Sequence, residues 1–155
     1  MVKILIFGTF DKLHKGHIYF MEKAAEIVKD AELFIVIARD KNVEKIKNKI
    51  PIHNEMTRLM NVYVLGIAKK VILGDDEDFF KAIKEYKPTI ICLGYDQNDQ
   101  GIRKYIKENN LKIEIKTIDS FEPETYKSSK LWVMGLEFCV GNQSVVMSLV
   151  IFSQY

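Results

Sequence analysis

The chain has 155 residues, of which 48% are hydrophobic and 28% charged. That is long enough for one domain with a buried core and too apolar for a disordered segment. Its 23 basic and 21 acidic residues are well mixed and leave a net charge of +2, which excludes a general electrostatic grip on nucleic acid or a membrane surface.

Val2-Lys3-Ile4-Leu5-Ile6-Phe7 predicts a buried strand, short, β-branched and closed by Gly8. This apolar run is about five residues long and meets Gly and Asp at once, so it does not read as a signal peptide. Cys92 and Cys139 are the only thiols. With no export signal they are expected reduced, in a cytoplasmic protein.

Gly8-Thr9-Phe10-Asp11-Lys12-Leu13-His14-Lys15-Gly16-His17 comes next. After it, Ile18, Met21, Ala25 and Val28 recur at helical spacing. The stretch is therefore a strand-to-helix turn, with His17 expected at the helix start. Such a place suits a phosphate, because first-turn N–H groups lack partners and the helix dipole leaves positive charge there. Gly8 and Gly16 remove β-carbons that would hold a ligand away. A capping or half-buried structural histidine is the competing interpretation. A zinc pair is weaker, since structural zinc takes about four ligands and no cysteine pair accompanies the histidines. The Gly-x-Gly-x-x-Gly dinucleotide fingerprint is absent from this turn.

The residues of this turn resemble the signature of the cytidylyltransferase-like nucleotidyltransferases. That family includes glycerol-3-phosphate cytidylyltransferase, phosphopantetheine adenylyltransferase and the archaeal FAD synthases. The resemblance implies that His14 and His17 bind the nucleotide phosphates and the transition state, with Gly8, Thr9, Phe10, Asp11 and Gly16 lining the nucleotide. Asp11 is also open to two other roles, near a magnesium ion or holding the turn as an Asx residue.

Residues 31–38 predict a second buried strand. Lys45, Lys47 and Lys49 follow in a basic run, 43–51, expected as a flexible loop. From position alone, a solvated surface and a loop closing over a triphosphate are equally good accounts. The resemblance implies phosphate-binding lysines there, namely Lys45 and Lys47. Asn54 is expected to cap a helix over 55–67. Arg58 falls in its first turn, against the dipole, and the resemblance implies a phosphate-contacting arginine at that place.

A short third strand (70–73), a helix (78–86) stopped before Pro88, a fourth strand (89–93), a helix (98–110) and an alternating edge strand (112–118) complete the pattern. Strands alternating with helices predict an α/β fold, a doubly wound five-stranded parallel sheet of Rossmann-like type in the order 3-2-1-4-5. The order reverses between strands one and four, where ligands bind in such sheets. The turns there are residues 8–17 and Gly94-Tyr95-Asp96-Gln97. The second resembles the family's base- and ribose-contacting turn, which implies nucleotide-binding roles for Gly94, Asp96 and Gln97. Tyr126 to Leu131 resembles, in part, its Ile-Ser-Ser/Thr helix start, implying Tyr126, Ser128 and Ser129.

The resemblance covers residues 1–131, taken as a nucleotidyltransferase domain. Residues 132–155 form an apolar tail with a single charge, Glu137. It lacks the unbroken run of about 18 apolar residues a membrane helix needs, and no function is assigned to it; a segment covering a homodimer face is one option. The expected reaction transfers a nucleotidyl group from a nucleoside triphosphate to a phosphate monoester, with Mg²⁺ arriving on the triphosphate and no dedicated metal site. The look is closest to the archaeal members, so FMN and ATP yielding FAD is the leading expectation. A cytidylyltransferase using CTP and glycerol 3-phosphate, and an inactive nucleotide-binding sensor, are the alternatives. For a flavin ring, Phe10, Tyr19, Phe20, Tyr95 and Tyr126 are the candidate walls.

Overall fold

A computed structural model describes residues 1–121 in full and the backbone of 134–140 and 143–149. Five apolar runs form one sheet: β1 (Lys3–Gly8), β2 (Glu32–Ile37), β3 (Lys70–Leu73), β4 (Ile90–Gly94) and β5 (Glu114–Ile118). All pair in parallel, in the order β3-β2-β1-β4-β5. This is the predicted topology.

Side chains alternate across the sheet and build two cores. Ile4, Ile6 and Ile35 pack beneath α1 (Lys15–Glu26) with Met21 and Ala24, and beneath α3 (Glu55–Tyr63) with Val62. Leu5, Phe7, Val36 and Leu93 pack on the opposite face against α4 (Lys81–Tyr86), through Ala82 and Ile83, and α5 (Gln100–Glu108), through Ile102. Each fully buried Ile or Leu stabilises the sheet by about 1.5–3 kcal/mol relative to exposure.

Pairing lengths shape the rim. β1 pairs with β2 up to Gly8↔Ile37, but with β4 only up to Ile6↔Cys92. The carboxyl ends of β1 and β4 therefore part, and the crevice expected from the strand order opens there.

The basic run differs from its expectation. It is not a loop: α2 (Asp40–Lys47) occupies most of it. Asp40 in the first turn and lysines in the last turn match the dipole, and Asn48, at φ 49, ends the helix in the left-handed conformation that Asn tolerates. Alternating lysines masked the helical pair Val43 and Ile46. α3 is also shorter than expected, ending at Tyr63.

In the tail, β6 (Met134–Val140) and β7 (Gln143–Leu149) pair antiparallel as a separate two-stranded sheet. The helix start expected over 126–131 lies outside the described residues. Among the described residues no helix is long and apolar enough to cross a membrane. All five strands of the main sheet precede residue 119 and none pairs with the hairpin. A chain ending after Leu131 is expected to keep the far-ultraviolet circular dichroism of the α/β sheet and a cooperative thermal transition. Loss of cooperativity would make the tail part of the core. A change of mass in light scattering would mark it as a subunit contact.

Candidate active site

The turn after β1 is built around a close approach. Phe10 adopts φ 48 and folds its ring back under Gly8, where an added Cβ would lie 2.4 Å from the ring. A left-handed non-glycine residue costs about 1–2 kcal/mol, which burial of the ring offsets. Phe10 is thus a core residue and not a wall for a ligand ring. Its edge meets His17, with centroids 5.4 Å apart at 85°.

His14 is the N-cap of α1, which starts at Lys15, two residues before the expected start at His17. Its Nδ1 accepts from the Gly16 N–H at 3.1 Å. A Cβ on residue 16 would stand 3.0 Å from the imidazole, so Gly16 is what lets the ring settle there. The Gly16 N–H is therefore taken by the histidine and not held open for an anion. An accepting Nδ1 puts the proton of the neutral ring on Nε2, which makes that nitrogen a donor.

The imidazoles of His14 and His17 stack, with centroids 3.8 Å apart at 23°. Burial, and then the charges of His14 and Lys47, push His17 down to about 3, and burial also lowers His14. Two imidazolium ions at this separation repel, so the pair is neutral near pH 7. Nδ1 of His17 is buried and has no hydrogen-bond partner of good geometry among the described residues. Lys47 reaches the same place, its Nζ donating to Thr9 Oγ1 at 3.1 Å. Thr9, His14, His17 and Lys47 form one cluster. Lys45 does not join it, because residues two apart on a helix face different directions, and it is exposed on α2.

Arg58 lies beneath this cluster with 0% exposure. It donates from Nε to His53 O (3.0 Å), from Nη1 to Thr9 O (2.6 Å), and from Nη2 to Ala38 O (2.8 Å) and Asp40 Oδ1 (2.6 Å). Protein partners explain its place in the first turn, and they replace the phosphate contact expected of it. Asp11 is also bound within the protein: its carboxylate accepts from the N–H groups of Ile52 (2.9 Å) and His53 (2.8 Å), so it ties its turn to that loop instead of closing the turn as an Asx residue. Asp40 and Glu55 exchange bonds across the starts of α2 and α3: Asp40 N–H donates to Glu55 Oε2, and Glu55 N–H to Asp40 Oδ2.

At the crevice, Gln97 spans the gap where β1 and β4 part. Its Oε1 accepts from Gly94 N–H (2.9 Å) and its Nε2 donates to Phe7 O (3.0 Å). The side chain substitutes for the missing ladder bonds, so its amide is spent on the backbone. Asp96 and Tyr95 beside it are exposed. Tyr126, Ser128 and Ser129 lie outside the described residues.

A groove opens on the other side of the Gly8–Thr9 turn, between the ends of β1 to β3 and α2. Phe7, Thr9, Val36, Ile46, Lys47 and Phe79 are among its lining residues. Of the aromatic walls expected from sequence, Phe10 and Phe20 pack into the core and Tyr19 lies on Phe121. Phe79 was not singled out from sequence, where it fell inside the helix expected over 78–86. Instead α4 starts at Lys81, and the loop leaves Phe79 44% exposed.

The profile of the family described as Cytidylyltransferase-like matches residues 5–133. The FAD synthase of Methanosarcina barkeri is 44% identical over 113 residues, 72% of this chain and 78% of that protein. The FAD synthase of Archaeoglobus profundus is 40% identical over 131 residues, 83% of this chain and 82% of that protein. Among solved structures, a lipopolysaccharide core biosynthesis protein from Thermoplasma volcanium is 33% identical. It matches with a TM-score of 0.71 over 79% of this chain and 99% of that one.

Replacing Arg58 with Met is expected to cost roughly 3 kcal/mol or more, because three carbonyls and the Asp40 carboxylate lose their donor. A urea midpoint within experimental error of the parent's would refute the clamp. His17 gives a pH signature. Its folded value of about 3 lies below the ordinary 6.5, so the unfolded chain binds more protons between those limits. Stability is therefore fully present above pH 6.5 and falls as the pH drops towards 3. His17→Asn should flatten that dependence, read as the difference between parent and variant unfolding free energies at pH 4.5 and 7.5. Equal slopes would show that His17 titrates normally.

Proposed function

Because this chain belongs to the cytidylyltransferase-like family and is a nucleotidyltransferase, we propose that it is an FAD synthase, transferring AMP from ATP to FMN. The observation that carries the chemistry is the cluster of Thr9, His14, His17 and Lys47 on one strand-to-helix turn. The observation that carries the substrate is the likeness to archaeal FAD synthases. An oxygen of the FMN phosphate attacks the α-phosphorus of ATP, the bond from that phosphorus to the bridging β-phosphate oxygen breaks, and pyrophosphate leaves. The nucleophile is already an anion near neutral pH, so no strong base is required. The work is in-line positioning and neutralising the charge that grows on the α-phosphate and the leaving group.

His14, donating from Nε2, His17 and the Lys47 ammonium supply that neutralisation. The two imidazoles are neutral near pH 7 and act as N–H donors to phosphate oxygens, while the Lys47 ammonium supplies the positive charge. Mg²⁺ enters on the triphosphate, where phosphate oxygens and water fill most of its shell. The substrates are thus ATP and a flavin phosphate, in a cytoplasmic setting.

The test is a matrix of ATP and CTP against FMN and glycerol 3-phosphate, read by pyrophosphate release and flavin chromatography. FAD from FMN and ATP is the expected product. Turnover of glycerol 3-phosphate with CTP alone would reassign the substrates, and silence in every cell would leave a nucleotide-binding sensor. His17→Ala is expected to lower kcat by about 10²–10³-fold, the scale of one preorganised donor lost from a charged transition state. Activity within a few-fold of the parent's would remove His17 from the mechanism.

A further inference from the structure

The groove under α2 is a feature that the catalytic cluster does not explain. It borders that cluster, since Thr9 and Lys47 belong to both. The strand order places it on the β2–β3 side of β1, whereas the crevice between β1 and β4 lies on the other side. A nucleotide in a doubly wound sheet occupies the crevice at the reversal of strand order. With ATP there and its phosphates on His14 and His17, the groove lies across the Gly8–Thr9 turn from the base.

Its surface is chemically one-sided. Phe7, Val36, Val43 and Phe79 supply the walls, and Ile46 stands at the helix edge with 72% exposure. Phe79 lies nearly parallel on Phe7, with centroids 5.4 Å apart at 21°, and is itself braced edge-on by Phe80 at 5.3 Å. One ring face is therefore fixed by packing while the residue stays 44% exposed. Of the two cations lining it, Arg39 is held by Glu55 and Asp76 at 3.0 and 3.2 Å, and Lys47 donates to Thr9 Oγ1. Large apolar side chains left in water around a concave site mark a binding surface.

We propose that this groove receives the isoalloxazine ring of FMN, with Phe79 as its stacking platform and Ile46 covering its outer edge, so that Phe79 and Ile46 determine specificity for a flavin acceptor. The proposal rests on the FAD synthase assignment above. The ribityl chain then leads past Thr9, and the flavin phosphate arrives beside Lys47, next to the α-phosphate of ATP. A phospho-alcohol would leave Phe79 and Ile46 in water, so the groove discriminates by burial of the ring.

Binding of FMN to the parent protein and to Phe79→Leu and Ile46→Ser is followed by flavin fluorescence anisotropy, and ATP binding by calorimetry. FAD formation by the parent is measured in parallel. Both substitutions are expected to weaken FMN binding by about 5–10-fold, the size of a lost ring contact or a lost apolar cover, with ATP affinity changed less than about twofold. Ile46 is so exposed that its variant folds even if the Phe79 variant does not. FMN affinity unchanged in the Ile46 variant and in any folded Phe79 variant, with the parent still making FAD, overturns the groove and leaves the function standing. Weakened ATP binding with unchanged FMN binding overturns it by placing adenine there. A parent that neither binds FMN nor makes FAD overturns the function and the groove together.

Discussion

The Arg58 guanidinium is the interaction on which the site depends. A buried charge is costly unless it is paired and hydrogen-bonded, and Arg58 meets that condition by drawing in four separate segments. Thr9 O comes from the turn after β1, Ala38 O from the end of β2, Asp40 from the first turn of α2, and His53 O from the loop before α3. Each segment is irregular or just ending, so none could satisfy these carbonyls through its own ladder. The planar fork of arginine serves several acceptors at fixed angles, which lysine does not. Asp11 works in the reverse sense from the same turn, accepting from Ile52 and His53. Together the two charges fasten the turn to the loop beside it. Thr9 then presents its hydroxyl to Lys47 from a backbone that is held on both sides.

Charge on the histidine pair is kept low by geometry. His14 is anchored through Nδ1, His17 is wedged between that ring and the edge of Phe10, and burial keeps both neutral near pH 7. Lys47 joins the pair from α2, its Nζ on Thr9 Oγ1. An arrangement of this kind avoids the repulsion of several cations in one place, and its preorganisation comes from packing.

The turn after β1 also divides two spaces with different chemistry. On the β4 side, Gln97 bridges Phe7 and Gly94 and sets how far the strands part. On the β2–β3 side, α2 and the loop before α4 enclose an apolar groove. Thr9 and Lys47 line the groove and join the two histidines in one cluster, so the cluster sits at its border.

How much of this was legible beforehand follows from the range of each interaction. The strands, their order and the histidine turn were readable because they are written in neighbours: apolar runs of five or six residues, a glycine where the backbone turns, a helical repeat after it. Arg58 was misread because its acceptors lie 49, 20, 18 and 5 residues away, and no local pattern marks a guanidinium as buried. Lys45 and Lys47 looked equivalent until α2 turned them to different sides. Phe79 fell inside an expected helix until α4 began two residues after it. The sequence by itself determined which segments become strands and helices and which turn carries the histidines, since local sterics and hydrophobic periodicity decide those. Only the tertiary structure decided which charges are spent inside the protein and which ring is left for a ligand, because burial depends on groups that meet across the fold.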